Sequence, residues 1–278
     1  QSRRFGANGR TDSYVSHNVI EMAEMAADLR GLPIYYKILS EPGNSGISPE
    51  RCYLVLKYVA EGLRRGDPDA RIIGLNTSKF NWGRQQVVWG LGGLDYVHAV
   101  GVHPYCGARH GSAKTERVHG IGNLKSMLRL DDMIRRYNGG EPKMIWASEV
   151  GYDTDGVTWH QQADYLTRMV IEFKTLDNFG KLHYHMINDG VFGRFGIFTQ
   201  STQPKPLAVA LHGVAERITG VRWLKSLHTD DNIRAYLFEQ PDGRQMLAAW
   251  SVDGPDEMAL PTACDSVQMM DLMGVYTQ

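Results

Sequence analysis

KMIWASEVGYDTDGVTWHQQADYLTRMVIEFKTL, residues 143–176, holds the pattern that decides the fold. Residues 143–152 are a short, largely apolar run that carries Glu149 near its end, which is the make-up of a strand buried on both faces. A turn built from Asp, Thr and Gly follows, and residues 161–176 then set apolar side chains at helical spacing. A strand leading into an amphipathic helix is the unit of a parallel sheet, because the crossover helix covers the face that the strand leaves bare.

The same unit recurs on both sides. Upstream, PIYYKILSEP (33–42) reads as a buried strand halted by Pro42, Gly43 and Asn44. A helix follows it, with Ser48 as N-cap and Pro49 in the first turn. Arg51 stands where a glutamate or glutamine would close a capping box, so the cap is partial. ARIIGLNTS (70–78) is a strand, with a helix from Trp82 to about residue 92. GLGG (90–93) ends that helix as cap and turn, since it precedes the strand LDYVHAV where a phosphate cradle would follow one. YVHAVGVHPY (96–105) leads to a helix within 123–140, and KLHYHMINDG (181–190) to a helix from about Lys205 to Ile218. One more helix, about 13 to 30, precedes the first strand. Five strands each followed by a helix predict an α/β fold with a parallel sheet.

From Val221 the pattern changes to short runs between turn residues: NIRAYLFEQ, the turn QPDG, RQMLAAWSV, EMALP and SVQMMDLMG. The chain is therefore expected to divide into a β/α part, 1–220, and a small antiparallel β domain, 221–278. The latter is thin for two sheets that cover each other, so it docks on the β/α part or lacks strands.

Thirty Lys and Arg against thirty-one Asp and Glu in 278 residues give a net charge of -1, which offers no general attraction to nucleic acid or anionic lipid. No apolar run approaches the ~20 residues of a membrane span, and the first ten residues lack a secretion signal's apolar centre. Cys52, Cys106 and Cys264 are too few for a disulfide scaffold. Neither G-x-S-x-G nor G-x-G-x-x-G follows a strand, so no serine nucleophile, dinucleotide or other cofactor is expected. His98, His103 and His110, and His183 with His185, invite a metal reading, but no HExxH or Cys-rich pattern accompanies them and none is expected. DTDG (153–156) lacks the further ligands of a calcium loop and reads as an acidic turn. Met22, Met25, Met169 and Met269 read as core packing, and Asn76 opens an NTS sequon.

Two of the five strands end in a glutamate, Glu41 and Glu149, and a parallel sheet gathers its strand ends on one rim. Two carboxyls can divide the work on a glycosidic bond: one protonates the leaving oxygen while the other attacks the anomeric carbon. Singly, each could as well be a strand end reaching solvent. Around them the same rim is expected to gather Trp146 and Tyr152 beside Glu149, His103 and Tyr105 after the third strand, and Tyr184, Asn188 and Asp189 on or after the fifth. Aromatic faces stack on the C–H surfaces of sugars.

ILSEPGN, VHPY, ASEVGY and NDG, in this order at successive strand ends, resemble the last five βα units of a clan A retaining glycoside hydrolase of the xylosidase-like or cellulase-like groups. The resemblance implies a partial (β/α)8 TIM barrel, strands four to eight, with a β-sandwich-like segment after it. It implies Glu41 as acid/base and Glu149 as nucleophile of a β-linked oligo- or polysaccharide hydrolase. His103 or Tyr105 would touch the nucleophile, and Ser40, Asn76, Trp146, Tyr152, Tyr184 and Asp189 would contact sugar.

The sequence departs from that pattern twice. Serine occupies position 40 where the clan carries an asparagine that bonds the sugar 2-hydroxyl, and a shorter side chain cannot span that gap without a water. Three βα units, about 100 residues, would precede Glu41 in a full barrel. Five strands do not close one. A second chain or N-terminal fragment supplying strands one to three, or self-association at the open edge, is therefore expected beside the carbohydrate. The contrasting expectation is a noncatalytic carbohydrate-binding or assembly protein built on a degenerate barrel. An extracellular or periplasmic setting suits either.

Overall fold

The computed structural model describes residues 11–105, 113–228, 232–260 and 267–277. Cys106, His110 and Cys264 lie outside them. The elements are α1 (Thr11–Asp28), β1 (Tyr35–Lys37), α2 (Pro49–Gly66), β2 (Arg71–Ser78), α3 (Trp82–Gly90), β3 (Ala99–His103), α4 (Ala113–Tyr137), β4 (Met144–Val150), α5 (Trp159–Phe173), β5 (Phe179–Tyr184) and α6 (Pro206–Ile218). After them come β6 (Arg222–His228), β7 (Ile233–Glu239), β8 (Gln245–Ser251), β9 (Met269–Met270) and β10 (Tyr276–Thr277). β1 to β5 form one sheet in chain order, a partial parallel (β/α) barrel, and β6–β7–β8 form a separate sheet. The chain splits into two compact units, residues 1–102 with 134–146 and residues 103–133 with 147–278, so the division crosses β3 and β4.

In the first unit β1 pairs with β2 in parallel, Tyr35 opposite Arg71. α2 starts as its sequence dictates: the Ser48 hydroxyl accepts from the Arg51 N–H at 3.2 Å, with Pro49 opening the helix. α1 lies against α2 at a spacing that only glycine allows, since a Cβ on Gly66 would stand 1.9 Å from the Ala23 carbonyl oxygen. Cys52 is free and buried in α2. Gly92 takes φ +89 after α3, as the cap reading expects. The next residues wind into a 3-10 turn, Gly93–Tyr96, so β3 begins at Ala99.

In the second unit α5 opens with a full capping box, Thr158 and Gln161 bonding each other's backbone N–H at 3.1 and 2.9 Å. The antiparallel sheet docks on helices: Ile218, Val221, Tyr236 and Phe238 make a core, and Val170 and Ile171 of α5 pack against it. The Tyr236 hydroxyl donates to Glu172 at 3.3 Å, while burial and that carboxylate push its pKa up. β6 is a strand the sequence reading overlooks. Its seven residues, RWLKSLH, pair with β7 through register shifts between Trp223/Lys225 and Ser226/His228, which break the plain alternation that marks a strand. Residues 257–260 of EMALP form no strand, and among the described residues of SVQMMDLMG, 267–274, only Met269–Met270 do. Met169 is buried, Met22 and Met25 are half-buried, and Met269 is 64% exposed on the two-residue β9, against the core reading.

Candidate active site

Glu41 belongs to the first unit. Regular pairing stops at Lys37, yet the chain stays beside β2: Ile38 N–H donates to Ile73, Ser40 bridges Asn76, and Glu41 N–H donates to the Asn76 carbonyl at 2.8 Å. Leu39 and Glu41 both take left-handed backbone, φ +60 and +48. Non-glycine residues hold that conformation only where surrounding bonds impose it, and such positions cluster at functional sites. Pro42 ends the run, and Asn44 folds back so that its N–H meets the Glu41 carbonyl at 3.0 Å and its side-chain amide donates to the Glu41 carboxylate. Glu41 is half-buried and Ser40 exposed.

Asn76 is wholly buried. Its amide donates to the Ile38 carbonyl at 2.7 Å, so this side chain ties β2 to the segment carrying Glu41. That position inside β2 also removes the NTS sequon from the surface. Trp146 is 2% exposed and packs with Tyr35, Ile73 and Ala99, with Tyr35 tilted against it at 4.6 Å. These four come early in their strands, whereas Glu41 follows β1 and Glu149 stands near the end of β4, so Trp146 fills core below the rim.

Glu149 belongs to the second unit. The Tyr105 hydroxyl donates to its Oε1 at 3.1 Å, and Nδ1 of the fully buried His103 stands 3.9 Å from its Oε2. A bond from a neutral donor to an ionised carboxylate is stronger than one between neutral groups and fixes the carboxylate plane. Tyr105 meets the Phe195 ring edge-on at 6.3 Å, and Phe195 meets His185 at 5.7 Å. His185 sits one residue past β5, where its N–H donates to the Val150 carbonyl at 2.8 Å.

The remaining expected sugar contacts in this unit are spent on the protein itself. Tyr152 is buried edge-on against Tyr165 of α5. The Tyr184 hydroxyl accepts from Gln162 at 3.0 Å and donates to the Phe195 carbonyl at 2.6 Å, and burial raises its pKa far above the usual phenol range. Asp189 accepts from Gly196 N–H and from Lys205 Nζ, each at 2.8 Å. Lys205 is 1% exposed and also donates to Thr154 and the Arg194 carbonyl, both at 3.2 Å. It pins the loop after β5, and the sequence offered only a lysine before a proline to announce it. Asn188 reaches the Thr199 carbonyl at 3.4 Å. DTDG serves the same loop: Asp153 accepts from Asp155 and Arg194 N–H at 3.0 and 3.2 Å. His98 is likewise architectural, its Nδ1 accepting from Ile72 N–H at 3.1 Å.

Glu41 thus follows β1 in the first unit, while in the second His103 ends β3 and Glu149 stands near the end of β4. No described helix is long and apolar enough to cross a membrane.

No known family and no curated protein matches the sequence. Solved structures do. A family 39 glycoside hydrolase from the gut symbiont Bacteroides cellulosilyticus aligns with 96% of this chain and 58% of its own, at 17% identity and a TM-score of 0.79. A glucosidase from Croceicoccus marinus aligns with 94% of the chain and 58% of its own, at 14% identity and 0.61. A family 39 β-xylosidase from Caulobacter crescentus aligns with 81% and 53%, at 13% identity and 0.57. The chain therefore has the barrel-like fold of clan A glycosidases, with a separate antiparallel sheet, and spans a little over half the length of these proteins.

Proposed function

We propose that the chain carries the catalytic carboxylates of a retaining glycoside hydrolase acting on a β-linked oligo- or polysaccharide, Glu149 as nucleophile and Glu41 as acid/base. The observation that carries this reading is the setting of Glu149: a carboxylate near a strand end, held by a tyrosine hydroxyl with a buried imidazole beside it. The carboxylate so fixed attacks the anomeric carbon as the bond to the leaving oxygen breaks, and Glu41 gives that oxygen its proton. Water then loses a proton to Glu41, adds to the same carbon and releases Glu149, so configuration is retained. His103, Tyr105 and the exposed Ser40 orient the reacting sugar, while Asn76, Trp146, Tyr152, Tyr184 and Asp189 brace the strand ends beneath it. No metal enters this chemistry, and exhaustive chelation leaves turnover intact.

An extracellular or periplasmic setting, where polymeric sugars are met, goes with this reading. So does a partner at the β1 edge, either a further segment supplying strands or a second copy. The residues 221–278 form the small domain of the assembly.

Glu149→Ala tests the assignment on an aryl β-glycoside. Turnover falls by about 10⁴-fold or more, and azide restores release of the aryl group while forming the α-glycosyl azide, because azide enters from the face the carboxylate left. Sugar binding by a wild-type protein without turnover would instead support a noncatalytic carbohydrate-binding or assembly role.

A further inference from the structure

Glu41 opens a loop, and one charged side chain of α3 holds that loop. Residues 41–47 close on themselves: Asn44 N–H donates to the Glu41 carbonyl at 3.0 Å, while Gly46 N–H donates to Gly43 and Ile47 N–H to Pro42, both at 3.2 Å. Ile47 is thereby one hydrogen bond from the residue that follows Glu41. Its carbonyl in turn accepts from Nη1 of Arg84, in the first turn of α3. The same nitrogen donates to the sulfur of the fully buried Cys52 in α2 at 3.1 Å, and burial pushes that thiol's pKa up, so the contact is to a neutral sulfur. The guanidinium also lies beside Gly43, where a Cβ would stand 3.6 Å from its Nε and 3.7 Å from its Nη2.

The next residue of α3 holds the other side. Gln85, fully buried, donates from Nε2 to the Thr77 hydroxyl at 3.3 Å, one residue after Asn76, whose carbonyl receives the Glu41 N–H. The first turn of α3 thus fixes both the strand beside Glu41 and the loop that Glu41 opens. Arg84 is half-buried, and its buried Nε meets no acceptor among the described residues. An apolar side chain filling the same space would not carry that desolvation penalty. A cation kept in this state, against the loop that follows a catalytic carboxyl, serves the placement of that carboxyl rather than packing. Proton transfer needs the donor within hydrogen-bond reach of the leaving oxygen, and a misplacement of about 1 Å can slow a reaction by about 10²-fold. We infer that Arg84 is a positioning residue for Glu41: through Ile47 and Pro42 it sets where the Glu41 carboxyl meets the leaving oxygen. The inference rests on Glu41 as acid/base.

The test compares two substrates of one active sugar: the dinitrophenyl β-glycoside, whose leaving group departs with little help from a proton, and the phenyl β-glycoside, whose leaving oxygen needs one. Loss of folded protein or of sugar binding lowers kcat/KM for both alike, so the ratio between them isolates the placement of Glu41. Arg84→Met lowers kcat/KM on the phenyl glycoside by about tenfold more than on the dinitrophenyl glycoside. Where Arg84→Met does not fold, Arg84→Gln, whose shorter side chain does not reach Ile47, is read by the same ratio. A ratio that stays at the wild-type value overturns the positioning role while leaving the hydrolase reading in place. If wild-type protein turns over neither substrate, the hydrolase reading fails, and NMR of the Asn44 side-chain amide, which donates to the Glu41 carboxylate, decides the placement separately. Its amide proton signals, identified by their loss in Asn44→Asp, move in the Arg84 variant toward the position they take in Glu41→Gln. Signals that stay in place overturn the inference.

Discussion

The two glutamates are held by opposite means. Glu41 is placed by its backbone: left-handed φ at positions 39 and 41, an N–H bonded to Asn76, and one exposed loop amide from Asn44. Glu149 lies in a regular strand and is placed by side chains from the end of β3, Tyr105 and the fully buried His103. A carboxyl at a strained loop start can shift as it passes a proton back and forth, while one clamped on a strand suits repeated attack on one carbon. The contrast matches the two roles proposed for them, and substitutions on each side can break or sharpen it.

The largest effect separates the roles by leaving group. Glu41→Ala slows hydrolysis of alkyl or sugar leaving groups by about 10²–10⁴-fold, the usual worth of proton transfer, and affects 4-nitrophenyl substrates far less in the step that releases the phenol. Added azide then yields the β-glycosyl azide, because the glycosyl-enzyme still forms. Equal losses on good and poor leaving groups would remove the distinction drawn between Glu41 and Glu149.

Next comes the support under the second carboxylate's rim. Lys205→Met leaves the mostly buried Asp189 carboxylate without its cationic partner and destabilises the protein by about 3 kcal/mol, read as a lower urea midpoint. Adding Asp189→Asn recovers part of this, since the amide oxygen still accepts from Gly196. A midpoint unmoved by Lys205→Met would show that the loop does not depend on this pair.

Tyr105→Phe removes one hydrogen bond from Glu149 and lowers kcat by about 10–100-fold with little change in stability. Asn44→Ala, acting on Glu41 through an exposed amide, costs less than about tenfold. The reverse order would mean that the backbone-held glutamate relies on its side-chain partner more than the strand-held one does.

How much of this the sequence discloses depends on the kind of interaction. Strand order, the helices with their caps, and the places of Glu41, Glu149, His103 and Tyr105 follow from local patterns, because periodicity and strand ends are properties of neighbouring residues. Nearness to a strand end does not say which way a side chain faces or what lies over it. Trp146 and Tyr152 flank Glu149 in the chain, yet one packs on Tyr35 and the other on Tyr165. Asn76 turns its amide into the sheet, and Asp189 spends its carboxylate on a lysine sixteen residues on. β6 escaped notice because its bulges disturb the alternation from which strands are read.

The smallest expected effect is a pH dependence in the first unit. Burial, then Arg64 and neighbouring cations, lower the pKa of His98, whose neutral Nδ1 accepts the Ile72 N–H. A histidine with a depressed folded pKa contributes stability that is complete above its unfolded value of about 6.5 and is lost as the pH falls through the folded one. The urea midpoint of the wild type therefore drops between pH 7 and 5 slightly more than that of His98→Asn, whose amide oxygen replaces Nδ1. The side chain is exposed enough for solvent to keep the difference small. Identical slopes would deny His98 this role.

The central claim is chemical: Glu149 forms a bond to sugar. Incubation with a 2-deoxy-2-fluoro β-glycosyl fluoride, whose fluorine slows release of the enzyme-bound sugar, followed by mass analysis of a digest, tests it directly. A single fluorosugar on the peptide containing Glu149 is the predicted result. Label on any other residue, or turnover of ordinary substrate by a protein that never takes up label, would contradict it.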